Sequence, residues 1–299
     1  MNILVTGATG FLGSHLLPEL LEKENNIIVL KRSFSDTWRI KDILSSLKEY
    51  EIDKIDLERV FQDNSIDVII HLATDYGKKN NNNIIEIMNA NVVLPSRLLE
   101  LGTRHKVKAF INADTSINSL YSLYSASKKS FLEIAKSFSA NYEIKFINIV
   151  LEYMYGERDD DTKFIPFVIE SILNGSEINA TGGEQKRDFI YVKDIVKAYL
   201  KVLGNMRNFK EKFIEFSIGT GQSISLREFI SLIEKAADRG ANINWGVIPY
   251  KKNEIFDSKA DIRTSKRLLD WQPSVSWKDG LRNVINWYKL NTDKSSLKG

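Results

Sequence analysis

The sequence predicts an α/β protein built on a doubly wound parallel sheet, with a smaller mixed α/β lobe beside it. Three observations lead there. Short, continuously apolar runs recur through the first half of the chain and alternate with helical patterns, which is how the strands of a parallel sheet covered on both faces read. A glycine-rich turn joins the first of these runs to the first helix. After Gly156 the alternation stops, and glycines at 175, 182, 183, 219 and 221 punctuate shorter segments.

Ile3-Leu4-Val5 is the first strand, and residues 12–22 read as a helix that Pro18 should kink or weaken. Residues 27–30 form a second strand, 57–61 a helix, 68–72 a third strand and 84–101 one long helix. Residues 109–112 are another strand, 125–139 a helix and 145–151 a strand. Right-handed crossovers wind such elements on both faces of one sheet. Residues 189–192, with a helix over 194–203, are expected to return to the large domain. The run 80–83 reads as a polar loop and the tail from Asn291 as frayed.

Bulk composition excludes several function classes. The 299 residues carry 42 basic and 39 acidic side chains, interspersed, for a net charge of +3. Nucleic-acid or membrane-surface binding calls for a concentrated basic face. The chain has no cysteine, which removes disulfides, thiolate nucleophiles and cysteine-held metals and suits a reducing cytoplasm. His15, His71 and His105 make no ligand spacing, so no metal is expected. The apolar start, residues 1–5, is too short for a signal peptide, and no run approaches the ~18–20 apolar residues of a membrane span.

Thr6-Gly7-Ala8-Thr9-Gly10-Phe11-Leu12-Gly13 follows the first strand and opens the first helix. Gly7, Gly10 and Gly13 allow a tight turn and a close approach of backbone N–H groups to a pyrophosphate, which the positive end of the helix also favours. The predicted domain is therefore dinucleotide-binding, with a Rossmann-type sheet over residues 1–156 and residues 157–299 mainly binding substrate as a lid. An NAD site usually places an acid at the end of the second strand. Here that place holds Lys31-Arg32-Ser33, and the next acid along the chain is Asp36. Two cations and a hydroxyl suit a 2′-phosphate, so NADP(H) is expected in preference to NAD(H).

Tyr124-Ser125-Ala126-Ser127-Lys128 has the YxxxK spacing, which puts phenol and ammonium on one helix face. A free phenol titrates near ~10. A neighbouring cation is expected to lower that value and make Tyr124 a usable proton-transfer group for hydride chemistry. Lys128 can also hold the nicotinamide ribose. Tyr121 has no lysine four residues on, and Lys129 falls four after Ser125, which offers it no useful partner. At the end of the preceding strand, Thr115 is the hydroxyl expected to bind the substrate oxygen, with Ser116 as the second choice.

Together these pieces resemble the extended short-chain dehydrogenases of the NAD-dependent epimerase/dehydratase family, which act on nucleotide-diphosphate sugars. The resemblance spans nearly the whole chain. It includes His71-Leu72-Ala73-Thr74, similar to the segment under the cofactor, then Tyr155-Gly156, the run Arg187-Asp188-Phe189-Ile190-Tyr191-Val192-Lys193-Asp194, and Leu269-Asp270-Trp271-Gln272-Pro273. Within the family the chain looks most like the CDP-abequose synthases, which are 4-ketoreductases. The similar segments are Leu30-Lys31-Arg32-Ser33-Phe34-Ser35, Lys163-Phe164-Ile165-Pro166, Gly183-Glu184-Gln185 and Asn253-Glu254-Ile255.

What the resemblance implies is a cofactor site that adds Thr9, Phe11, Leu12, Asp53, Leu72, Ala73, Thr74, Asn91 and Leu151 to the residues above. It also implies substrate contacts at Asp75, Thr115, Ser116, Tyr153, Phe164, Arg187 and Lys251, a homodimer paired through helices 84–101 and 125–139, and a role in surface polysaccharide synthesis. Arg187 falls on the family's diphosphate arginine, for which a guanidinium fork is well shaped. Three positions depart from the pattern. A second arginine is replaced by Lys251, the asparagine before YG by Tyr153, and another arginine by Val150, and Glu152 and Tyr153 are expected to line the nicotinamide and sugar pocket.

The expected activity is reduction of a 4-keto-6-deoxy or dideoxy sugar nucleotide. A dehydratase would carry an acid beside the catalytic threonine, whereas Ser116 and Ile117 follow Thr115. A 4-epimerase that retains its NAD is the alternative. A non-catalytic dinucleotide sensor has no need of the Tyr124–Lys128 pair.

Overall fold

A computed structural model describes residues 1–77 and 83–291. Most of the expected polar loop, 80–82, and the tail after Asn291 lie outside the described residues. In chain order the first half runs β1 (Asn2–Thr6), α1 (Phe11–Glu22), β2 (Asn26–Lys31), a 3-10 stretch (Trp38–Ser46), β3 (Lys48–Glu51), α2 (Leu57–Gln62) and β4 (Val68–His71). Then come α3 (Ile84–Met88), a π-helical turn (Asn89–Val93), α4 (Leu94–Arg104), β5 (Ala109–Thr115), α5 (Leu123–Asn141) and β6 (Lys145–Leu151). The second half contains β7 (Tyr153–Tyr155), α6 (Phe164–Asn174), β8 (Glu177–Ala180), β9 (Lys186–Arg187), β10 (Phe189–Tyr191), α7 (Val192–Asn205) and β11 (Phe213–Ile218). It ends with β12 (Ile224–Ser225), α8 (Leu226–Ala237), β13 (Asn242–Trp245), α9 (Arg263–Leu269) and α10 (Trp277–Asn291).

Seven strands form the central parallel sheet in the order β3-β2-β1-β4-β5-β6-β11. Its apolar strands fill two cores. Ile3, Val5, Ile70 and Ile111 pack on the α1 and α7 side, while Leu4, Ile69, Phe110 and Phe146 pack on the α2, α4 and α5 side. Burial on both faces is why the strands lack polar alternation. The strand order reverses between β1 and β4, the place where a doubly wound sheet leaves a crevice at the carboxyl ends of its strands.

Two expectations need correction. Helix α1 runs unbroken through Pro18. Proline removes one helical hydrogen bond, but Leu16, Leu17 and Leu20 are fully buried and hold the helix on the sheet. The single helix expected over 84–101 is interrupted by the π-helical turn, which carries Asn91 into the interior.

The C-terminal half is not confined to a small lobe. Helix α7 packs on α1, and β11 closes the far edge of the main sheet. The small lobe itself groups α6, α8 and α10 with the β8–β13 pair and the β9–β12 pair. Two of the sequence motifs are structural ties. Trp271 is buried and its Nε1 donates to the Asp194 carbonyl at 3.0 Å, while the Asp194 carboxylate accepts from the Ser274 and Val275 amides. Asp188 accepts from the backbone of Thr220, Gly221 and Ala260.

Candidate active site

The glycine loop sits at the crevice. Gly7 has φ +70°, and a Cβ there would come within 2.5 Å of the Ala73 nitrogen and 2.6 Å of the Leu72 carbonyl carbon. A Cβ on Gly13 would overlap the Gly7 carbonyl. The loop is thus laid directly on the segment after β4, with Thr6 Oγ1 bridging His71 Nδ1 at 2.8 Å and the Ala73 amide at 3.3 Å. Gly10 gives α1 no side-chain cap, so the helix start is left to an outside acceptor. A cradle this close to bare backbone fits a dinucleotide pyrophosphate. Thr9 and Phe11 are partly exposed beside it, whereas Leu12 is buried in the core and can offer only its backbone.

The end of β2 differs from the sequence reading. Lys31 lies 3.5 Å from both Glu49 and Glu51, and the Ser33 amide and hydroxyl donate to Asp53 at 2.7 and 2.5 Å. The acids come from β3 and the turn after it, because Lys31 pairs with Glu51 in register. Asp36 is therefore not the nearest carboxylate. Of the two cations, Arg32 alone is exposed without an ion pair among the described residues, stacked on Phe34.

Asn91 ties the loop after β4 to α5. Its Oδ1 accepts from Thr74 Oγ1 and the Asp75 amide, and its Nδ2 donates to the Asp75 carbonyl and Ser127 Oγ. With all its polar atoms engaged, Asn91 acts through the 74–75 loop. The Asp75 carboxylate turns back onto the Gly77 amide.

Tyr124 and Lys128 stand on the first two turns of α5, which a Ser122–Ser125 capping box starts. The Tyr124 phenol hydrogen-bonds Thr115 at the end of β5. Burial pushes the phenol well above its ordinary value, with Thr115 opposing. Lys128 is not among the groups that act on the phenol, so the expected lowering by the lysine is not found. The same burial lowers Lys128 itself to about 8, against the pull of Asp114. Lys128 is only 2% exposed, and its ammonium makes no hydrogen bond or salt bridge among the described residues. A buried, unpaired ammonium fits the hydroxyls of a bound ribose.

Several functional neighbours escaped sequence reasoning. Lys129 donates to Asp114 Oδ2 at 2.8 Å and to the Thr115 carbonyl at 2.6 Å, fixing the strand end that presents Thr115. Tyr76 packs on Tyr124 with ring centroids 4.7 Å apart, and Lys163 lies over the Tyr76 ring. Ser116 donates to Glu152, the residue after β6.

The structure brings Thr115, Ser116, Tyr124 and Lys128 together, with Leu151 buried behind them. Tyr153 lies under the Arg187 guanidinium at 5.2 Å. Arg187 is engaged: its donors go to Glu254 at 2.5 Å and to the carbonyls of Lys186 and Ile255. Lys251 sits over Tyr121, and Asn253 Nδ2 reaches the Leu120 and Tyr121 carbonyls. Residues 251–258 thus strap the small lobe to the loop between Thr115 and Tyr124. Phe164, at the start of α6, is 38% exposed.

Among the described residues no acidic or histidine group could hold a metal, and no helix is long and apolar enough to cross a membrane.

Comparison with known proteins places this arrangement. The CDP-abequose synthase of Salmonella muenchen is 37% identical over 95% of this chain and 97% of its own length. A solved UDP-glucuronic acid 4-epimerase of Bacillus cereus, in complex with UDP-glucuronic acid and NAD, is 26% identical with a TM-score of 0.84, covering 97% of this chain and 99% of that one. The UDP-glucose 4-epimerase of Thermotoga maritima shares the fold with a TM-score of 0.86 at 24% identity, over 98% of this chain and 100% of that one. Residues 3–219 match the model of the NAD dependent epimerase/dehydratase family. With glycine cradle, Thr115, Tyr124 and Lys128 assembled on a seven-stranded parallel sheet, the chain belongs to the NAD dependent epimerase/dehydratase family.

Proposed function

We propose that the protein reduces a 4-keto-6-deoxy or dideoxy nucleotide-diphosphate sugar with NADPH, in the cytoplasm, for surface polysaccharide. The observation that carries this reading is the half-buried Tyr124 phenol on Thr115, one helical turn from a Lys128 that makes no hydrogen bond or salt bridge among the described residues. The similarity to a CDP-abequose synthase supports it. Bound nicotinamide supplies the hydride that adds to the keto carbon. Tyr124 gives its proton to the developing alkoxide, Thr115 holds that oxygen, and Lys128 stabilises the tyrosinate left behind. Arg187 would exchange Glu254 for the sugar diphosphate, with Lys251 closing over it. Phe164, Tyr153, Ser116 and Asp75 would line the sugar side. The lid is residues 157–299 apart from α7 and β11.

Arg32 is the group that supports NADP(H). NAD(H) is the alternative, supported by Asp53, Glu49 and Glu51 around the same strand end and by the NAD-bound neighbours. The expected result is one NADPH oxidised per 4-keto sugar nucleotide converted, faster than NADH, with that preference lost in Arg32→Ala. Interconversion of a non-keto UDP-sugar without added cofactor, and no NADPH oxidation across a panel of 4-keto substrates, would establish the epimerase instead.

We also propose a homodimer paired through residues 84–101 and 125–139, where Val93 of the π-helical turn and Ile134 of α5 are exposed beside Phe138. Light scattering is expected to give about twice the 34.2 kDa of the chain, and a monomer mass at assay concentration removes the proposal.

A further inference from the structure

The sequence places no acid beside Thr115, yet the fold delivers one. Strands β5 and β6 pair through Thr115 and Leu151, and the Ser116 amide donates to the Leu151 carbonyl at 3.1 Å. The residue after Leu151 is Glu152, whose amide donates to the Ile218 carbonyl at 3.1 Å. Its side chain therefore lies alongside the Thr115–Ser116 strand end. Oε2 accepts from Ser116 Oγ at 3.0 Å and from Ser258 Oγ at 2.9 Å, one hydroxyl from each side of the cleft.

Glu152 is only 8% exposed and makes no salt bridge among the described residues. The nearby Arg187 spends its donors on Glu254 and two carbonyls. Oε1 accepts no hydrogen bond among the described residues. It is not one of the sealed polar atoms of the interior, so it stays open to an incoming donor while Oε2 is held by the two serines. The position says what that is. If the reacting carbon meets Tyr124 and the diphosphate meets Arg187, the hexose must lie between them, which is where Glu152 stands.

We propose that Glu152 is a sugar-recognition residue: Oε1 accepts a hydrogen bond from a ring hydroxyl of the hexose, while Ser116 and Ser258 fix Oε2. This rests on the nucleotide-sugar reading above. A charge-assisted acceptor in a half-closed site discriminates strongly against a ligand that lacks the hydroxyl. Glu152→Gln keeps the shape. The two serine hydroxyls draw the amide oxygen toward themselves and turn the amide nitrogen, a donor, toward the sugar.

The test is calorimetric binding of CDP, CDP-glucose, UDP and UDP-glucose to the NADPH-loaded protein. For the preferred base, Glu152→Gln is expected to lose about tenfold or more of the affinity that glucose adds, with nucleoside diphosphate affinity changed less than about twofold. Ser258→Ala breaks the tie across the cleft but keeps Oε1, so it should retain the glucose increment. Equal loss of affinity for CDP and CDP-glucose, or for UDP and UDP-glucose, in Glu152→Gln would mean a structural tie and overturn the proposal. An unchanged increment overturns it too. If wild type binds none of the four, the nucleotide-sugar reading itself fails and takes the proposal with it.

Discussion

Replacing Tyr124 with phenylalanine is expected to lower turnover about 10²–10⁴-fold while leaving NADPH affinity nearly intact. The ring keeps its packing against Tyr76, so the site should stay folded. What disappears is the proton donor that Thr115 orients. Lys128→Ala should damage both turnover and cofactor binding, since its buried ammonium has no hydrogen-bond or ion-pair partner among the described residues. The direction of the Lys128 shift adds a pH dependence. Burial lowers it to about 8, so the charged form is present below that value and is lost as pH rises through it. Turnover should therefore fall on the alkaline side of about pH 8, in advance of any titration of Tyr124. Turnover near wild type in Tyr124→Phe would mean that another group delivers the proton.

How much of this was written in the chain depends on how local each signal is. The Gly7-Gly10-Gly13 loop and the Tyr124–Lys128 pair depend on spacing within one turn or one helix, so sequence alone located them. Leu12 and Asn91 show a subtler limit. Each lies at the site, but one offers only backbone and the other holds a neighbouring loop. The ion pairs of Lys31 were not legible because its partners lie on β3, Lys-Glu-Tyr-Glu, an edge strand with no apolar pattern to announce it. Glu152 was expected at the sugar pocket, but its contact with Ser116 beside Thr115 was not legible because it arrives from the next strand, 36 residues from Ser116. The upward shift of the Tyr124 phenol was not legible for a different reason. Spacing gives proximity, but the degree of burial decides which electrostatic effect wins.

Arg187 tests the separation of fold from function most sharply. Its guanidinium and the Glu254 carboxylate are both more than nine-tenths buried and meet at 2.5 Å across 67 residues of sequence. Removing one partner leaves the other charge stranded in the interior, whereas removing both does not. Arg187→Met is therefore expected to cost about 3–5 kcal/mol in urea unfolding. The double variant Arg187→Met with Glu254→Met should recover most of that loss, because the two sites are coupled and their effects do not add. Binding should behave oppositely. Both variants lack the fork proposed for the sugar diphosphate, so both should bind CDP and UDP at least about tenfold more weakly than wild type. A single variant with wild-type stability would mean that the ion pair contributes nothing in solution. A double variant that binds these diphosphates as tightly as wild type would mean that the anchor lies elsewhere, with Lys251, over the Tyr121 ring, the next cation to examine.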